Sequence, residues 1–149
     1  CFSLEEMGDY SLSIYGRSYD EKLAKYLRRS RPSNIEIHGP LSREELPEKI
    51  KEFDCLILPS WNEGQPIIIL EAMSLGLPVI STRVGAIQPM LGEDYPFLTR
   101  AKDPDILKGI IMSFNDYDQK GYLGEELFKR YHQKYSNKNS EDKLGEIFG

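Results

Sequence analysis

The 149-residue sequence predicts an α/β domain built on a doubly wound parallel sheet, with a helical C-terminal tail. Three observations predict it. Short apolar runs alternate with segments of helical period, the signature of a parallel sheet covered on both faces. Hydrophobic residues make up 40% and charged residues 29%, which supports one real core and excludes a disordered chain. Proline and glycine punctuate the junctions, with Pro66 ahead of one helical run and Gly76 and Pro78 behind it.

Taken in order, "YSLSIYG" (10–16) reads as a strand and "YDEKLAKYLRRS" (19–30) as a helix in which Leu23, Tyr26 and Leu27 share a face. "NIEIHG" (34–39) is the next strand. "REELPEKIKEF" (43–53) reads as one turn and then a helix restarted at Pro47, and "DCLILPS" (54–60) as a strand. "PVIST" (78–82), a short helix near "AIQPML", a short strand in "YPFLT" and a helix in "DPDILKGIIMSF" continue the alternation. The tail "QKGYLGEELFKRYHQKYS" (119–136) is helical, followed by the polar hinge "NKNSEDK" and by "LGEIF". We therefore expect a partial sheet domain over 1–118 and a helical tail over 119–149 laid on it. No internal repeat is present.

A net charge of −5, spread along the chain, is the opposite of a nucleic-acid footprint, so no nucleic-acid partner is expected. Cys1 and Cys55 are the only cysteines, and Cys55 in "FDCLILP" reads as a free buried thiol of a reducing compartment, the cytoplasm. His38 and His132 are isolated, one at a strand end and one on a surface helix, so no protein-bound metal is expected. The first residue is Cys1, and no apolar signal region or membrane-spanning run follows. That suggests a soluble piece of something longer. Lys25, Arg28, Arg29 and Arg31 form one basic patch, read either as cations solvated at a helix C-terminus or as a peripheral contact with anionic lipid.

The most informative stretch is "PSWNEGQPIIILEAMSLGLP" (59–78). A strand ends at Pro59, a loop carries Glu63, Pro66 suits a first helical position, and a helix of about nine residues stops at Gly76 and Pro78. In open α/β sheets ligands bind at the carboxyl ends of strands, where such loops lie. Glu71 stands about one turn inside the helix. Ile67, Ile68, Ile69, Leu70, Met73 and Leu75 leave no fully polar face, so the helix reads as buried and Glu71 as a lone carboxylate needing a partner. A backbone N–H or a distant Lys or Arg satisfies it; so do the paired hydroxyls of a sugar. The helix N-terminus favours an anion such as phosphate, and "TRVGA" (82–86) supplies a second such place, where Gly85 allows close backbone approach. Arg17, beside Gly16, reads as a solvated loop residue rather than a phosphate ligand, Arg83 is open between the same two readings, and Trp61 reads as a sugar platform or a strand-edge cap.

The run "PSWNEGQPIIILEAMSLGLPVISTRVGA" resembles the donor-binding region of the retaining glycosyltransferases of family 4, which have the two-domain GT-B architecture. Pro-Ser after an apolar strand, Glu-Gly-x-Pro, a second Glu eight residues after the first, Ala-Met, Gly-x-Pro-Val and Thr-x-x-Gly occur in order. The likeness extends over roughly residues 10–110. It implies a Rossmann-like C-terminal half and a UDP- or GDP-linked sugar as donor substrate, with no cofactor. It implies that Glu63, the candidate catalytic residue, contacts donor-sugar hydroxyls and that Glu71 contacts the ribose. Gly64, Gln65 and Pro66 would line the sugar pocket, with Thr82 and Gly85 near the nucleotide.

Ala86 and Gln88 depart from the family pattern, which often has a second glycine and a Glu there. The Arg and Lys that offset the leaving diphosphate would precede Cys1, as would the N-terminal domain that holds the acceptor. The resemblance thus implies a fragment of an enzyme that transfers sugar with retention to an acceptor sugar or glycolipid in bacterial surface polysaccharide or glycolipid assembly. The fragment alone is expected to be inactive. A sugar-nucleotide-binding domain without catalysis is the alternative. A hydrolase or epimerase fits the Glu spacing less well, and a receiver domain lacks its acidic cluster after the first strand.

Overall fold

In the computed structural model, which describes residues 10–17, 22, 25, 29, 33–42 and 44–136, each of the five runs read as strands contains a short parallel strand. The chain forms two compact units, Cys1–Leu46 and Pro47–Gly149. The strands accordingly fall into two parallel ladders rather than one continuous sheet.

In the first unit β1 (Leu12–Ile14) pairs in parallel with β2 (Ile35–Ile37), Leu12 opposite Ile35 and Ile14 opposite Ile37. The Asn34 side-chain amide donates to the Tyr10 carbonyl at 2.9 Å and fixes the entry to β2. His38 follows β2, as a strand-end residue, and stacks on Tyr15 with ring centroids 4.5 Å apart. Ser42 and Glu45 bond each other's backbone N–H reciprocally, a capping box that also holds the Glu45 carboxyl below its usual range through the Ser42 hydrogen bonds. Lys22, Lys25 and Arg29 are helical and exposed; Arg28, Arg31, the rest of the 19–30 run, and the hinge and "LGEIF" segments lie outside the described residues.

In the second unit the order is β3-β4-β5, all parallel: β3 (Leu56–Leu58), β4 (Val79–Thr82) and β5 (Leu98–Thr99). All four residues of the central β4 are buried, as a parallel strand covered on both faces requires. The helices are α1 (Leu46–Ile50), α2 (Ile67–Ser74), α3 (Ile87–Leu91), α4 (Pro104–Asn115) and α5 (Lys120–Lys134). The helix expected to restart at Pro47 begins one residue earlier, with Pro47 in its first turn, where a missing N–H costs nothing. Asp103 caps α4, its carboxylate accepting from the Ile106 N–H at 3.1 Å ahead of Pro104.

The core is filled by Ile69, Met73, Ile80, Ile87 and Met90, with Leu127 of α5 closing it. Phe97 meets Phe114 and Tyr117 edge-on at 5.0 and 5.1 Å. The tail helix packs on α2 by close backbone approach. Gly76, at φ +68°, ends α2, and a Cβ on Gly124 would stand 2.2 Å from the Gly76 carbonyl oxygen. Arg130 of α5 donates from Nε to the Met90 carbonyl at 2.7 Å and from Nη2 to Pro89 at 2.8 Å, satisfying the free carbonyls at the end of α3.

Burial pushes the free thiol of Cys55 up to about 11, with the Asp54 charge adding to the rise and Lys120 opposing it. Burial also raises the phenol of Tyr95, whose oxygen accepts from the Val79 N–H at 2.9 Å. Both groups are acids that fold in their neutral form. The unfolded chain ionises its thiol near its unperturbed value, about 8.5, and so gains on the folded state as pH rises beyond it. Stability is therefore expected to be full below that point and to fall as pH climbs toward 11, read as a declining urea midpoint; Cys55→Ser should flatten the first part of the decline.

Candidate functional site

The carboxyl ends of β3 and β4 bring most of the sequence-predicted residues together. The loop after β3 carries Ser60, Trp61 and Glu63; the loop after β4 carries Arg83 and Gly85. Thr82 is buried and donates from its hydroxyl to the Ser60 carbonyl at 2.6 Å, which ties the first loop to the end of the second strand. Ser81 ties the strands one residue earlier, donating to the Leu58 carbonyl at 2.7 Å. The Ser60 hydroxyl donates to Glu63 Oε1 at 2.6 Å, so one oxygen of a half-buried carboxylate is already oriented.

The two loops then interlock. The Ala86 N–H donates to the Gly64 carbonyl at 2.9 Å. Gly85 adopts φ +54°, and a Cβ there would lie 1.8 Å from the Glu63 carbonyl oxygen and 2.8 Å from that of Gly64. The close approach expected of Gly85 is thus made to the β3 loop, within the protein itself. Only glycine satisfies both the left-handed backbone and the missing space.

Two local expectations are corrected. Pro66 is the N-cap of α2, with extended backbone at φ −70° and ψ 117°, rather than its first helical residue, and the helix runs eight residues, in keeping with the length of about nine expected. Glu71 does not sit in a helix buried all round. Ile69, Ala72 and Met73 form the buried face, whereas Ile67 is 56% exposed and Leu75 is also open to solvent. At about 100° per residue Glu71 shares the side of Ile67 and Ser74, opposite the core. It is half-buried, and among the described residues its carboxylate has neither a hydrogen bond nor an ion pair; the Ser74 hydroxyl donates to the Glu71 backbone carbonyl. The distant Lys or Arg that a buried carboxylate needs is therefore not called for.

Of the other candidates, Gln65 and Gly64 are exposed and Pro66 is buried. Arg17 and Arg83 are exposed, and Trp61 is 70% exposed. Among the described residues no group of three or more His, Cys, Asp or Glu is placed to hold a metal ion, and no helix is long and apolar enough to cross a membrane. Ser60 was not singled out by sequence reasoning as a site residue; its bond to Glu63 runs from side chain to side chain within the loop, and no sequence motif signals it.

The α/β fold, with parallel strands covered by helices and a helical C-terminal region, matches the Rossmann-like half of GT-B glycosyltransferases. The family model for glycosyl transferases group 1 matches residues 3–114, and the chain belongs to that family. It is 28% identical over 137 residues to the uncharacterized glycosyltransferase MJ1178 of Methanocaldococcus jannaschii, covering 91% of this chain and 37% of that protein. It is 26% identical over 95 residues to the putative teichuronic acid biosynthesis glycosyltransferase TuaC of Bacillus subtilis, covering 62% and 24% respectively.

Among solved structures, a TarM variant of S. aureus in complex with Fondaparinux, alpha-GlcNAc-glycerol and UDP superposes with a TM-score of 0.79 at 19% identity, covering 98% of this chain and 30% of that one. The C-terminal domain of a group 1 glycosyl transferase, LpcC of Francisella tularensis, superposes with a TM-score of 0.73 at 22% identity, covering 89% and 73%. The chain thus spans 37% and 24% of the length of the two sequence relatives.

Proposed function

We propose that the chain is the donor-binding domain of a family 4 retaining glycosyltransferase and holds a UDP- or GDP-linked sugar at the carboxyl ends of β3 and β4. The observation that carries this reading is the interlock of the two loops, which fixes Glu63, already bonded by Ser60, at that edge of the sheet. Glu63 then receives hydroxyls of the donor sugar, and Glu71, on the open side of α2 and without a partner among the described residues, receives the ribose hydroxyls. The backbone of Gly64, Gln65 and Pro66 lines the sugar, and Thr82 and Gly85 hold the shape of the loops that border the nucleotide.

In transfer the bond from the anomeric carbon to the diphosphate breaks, the acceptor oxygen bonds to that carbon, and the acceptor's proton passes to the leaving phosphate. The protein supplies position and charge stabilisation rather than a nucleophile. The acceptor, a sugar or glycolipid, is presented by a further domain, with work in surface polysaccharide or glycolipid assembly; the teichuronic acid relative and the UDP and glycoside in the TarM complex support that setting. Binding without turnover is the second reading for these 149 residues, favoured by the share of the relatives' length that they span.

A thermal-shift comparison of the chain with UDP, GDP and adenosine diphosphate tests the reading. At a hundred times its dissociation constant a ligand of the native state adds about 2.7 kcal/mol, or roughly 5–10 °C for a chain of this size. UDP or GDP should raise the midpoint by that amount and adenosine diphosphate should not. No response to either UDP or GDP would end the donor-domain assignment.

A further inference from the structure

The carboxyl edge of the second unit carries one more constellation, outside the Glu63 and Glu71 pair. Trp61, two residues before Glu63, is 70% exposed, and the ammonium of Lys102 stands 4.9 Å from the centroid of its indole ring. Lys102 lies in the loop after β5, and its backbone is left-handed, at φ +63°. It is the only non-glycine residue with positive φ among the described residues. An L-residue bearing a long side chain reaches that conformation only against a steric penalty, and such outliers gather at working sites.

Among the described residues the Lys102 ammonium meets the indole ring and no carboxylate. Lys102 has no ion pair among the described residues, and the carboxylate beside it, Asp103, is engaged by the Ile106 N–H at the start of α4. Arg83 and Arg100 are exposed on loops of the same edge, so a protein of net charge −5 presents three cations there. The indole face turned away from Lys102, on a ring that is largely exposed, and three cations without an ion pair among the described residues offer two things at once: an apolar plate for the C–H face of a pyranose, and an anchor for a negative group on that ring.

We infer that Trp61 and Lys102 form a subsite selecting a sugar that bears a carboxylate or phosphate. The subsite deepens the glycosyltransferase reading and rests on it, since the same loop carries Glu63. The anionic sugar can belong to the donor or to the acceptor; the chemistry recognised is the same.

Trp61 is the only tryptophan in the chain, so its emission reports this site alone. The 149-residue chain is titrated with UDP-glucuronic acid against UDP-glucose for the donor source, and with methyl glucuronide against methyl glucoside for the acceptor source. In one pair the acid form should bind about three- to tenfold more tightly than its neutral partner, with a change in Trp61 emission. Lys102→Gly should abolish the preference while keeping or raising the melting midpoint, because glycine accepts positive φ freely. Lys102→Arg should keep it.

Equal affinities within both pairs, or a preference surviving in Lys102→Gly, overturns the subsite. Calorimetry with UDP alone separates this from the underlying reading. UDP binding intact in the wild type with no acid preference removes the subsite only, whereas loss of UDP and GDP binding removes the donor-domain reading and leaves the glucuronide pair to decide the subsite.

Discussion

Gly85→Ala is expected to be the most damaging single methyl in the second unit. The new Cβ would meet the Glu63 carbonyl oxygen at 1.8 Å, and neither partner is a side chain that can swing away. The left-handed backbone at φ +54° adds about 1–2 kcal/mol for any L-residue, and forcing the two loops apart adds about 1–3 kcal/mol. Together the loss is about 2–5 kcal/mol, or roughly 5–15 °C in melting midpoint. The damage is directional. Separating the loops breaks the Ala86 to Gly64 hydrogen bond and turns Glu63 from its place, so whatever chain remains folded should bind nucleotide sugar weakly. Gly64→Ala supplies the control within the same loop, because a Cβ there meets nothing within 4 Å, and its stability should stay within about 0.5 kcal/mol of wild type. Equal melting midpoints for Gly85→Ala and Gly64→Ala would contradict the interlock.

The elements were legible because their causes are local. Each of the five strands was marked by its apolar run, and each of the two longest helices by its period and flanking residues, Asp103 and Pro104 for α4 among them. What escaped was set by distance in the chain. Nothing in "SWNEG" announces that its carbonyls will lie against Gly85, 22 residues on from Glu63, and a glycine after a strand serves many turns. Lys102 stands 41 residues from Trp61, and a lysine carries no mark of the left-handed backbone that brings it there.

The environment of Glu71 is hidden from the sequence for a different physical reason. Apolar residues all round a helix suggest burial, yet a surface contributes plenty of apolar atoms, and here Ile67 and Leu75 stay open on the side that Glu71 shares. The correction matters for the chemistry. A fully buried lone carboxylate would demand a protein partner or a change of protonation, whereas a half-buried one facing water can wait for a ligand.

Glu71→Gln therefore separates ligand from fold. With no hydrogen bond or ion pair to lose among the described residues, the substitution should leave the urea midpoint within the equivalent of about 0.5 kcal/mol. Exchanging a carboxylate for an amide weakens charge-assisted hydrogen bonds from ribose hydroxyls, and the expected cost in nucleotide affinity is about 1.5–3 kcal/mol, roughly ten- to a hundredfold. A structural carboxylate would behave in the opposite way, since removing one partner of a buried pair costs about 3–5 kcal/mol of stability.

The most direct measurement is a calorimetric titration of wild type and Glu71→Gln with whichever of UDP and GDP raises the melting midpoint, alongside urea unfolding of both proteins. Affinity reduced at least tenfold at unchanged urea midpoint is the result that the donor-domain account predicts. Unchanged affinity, with or without a fall in the midpoint, would contradict it.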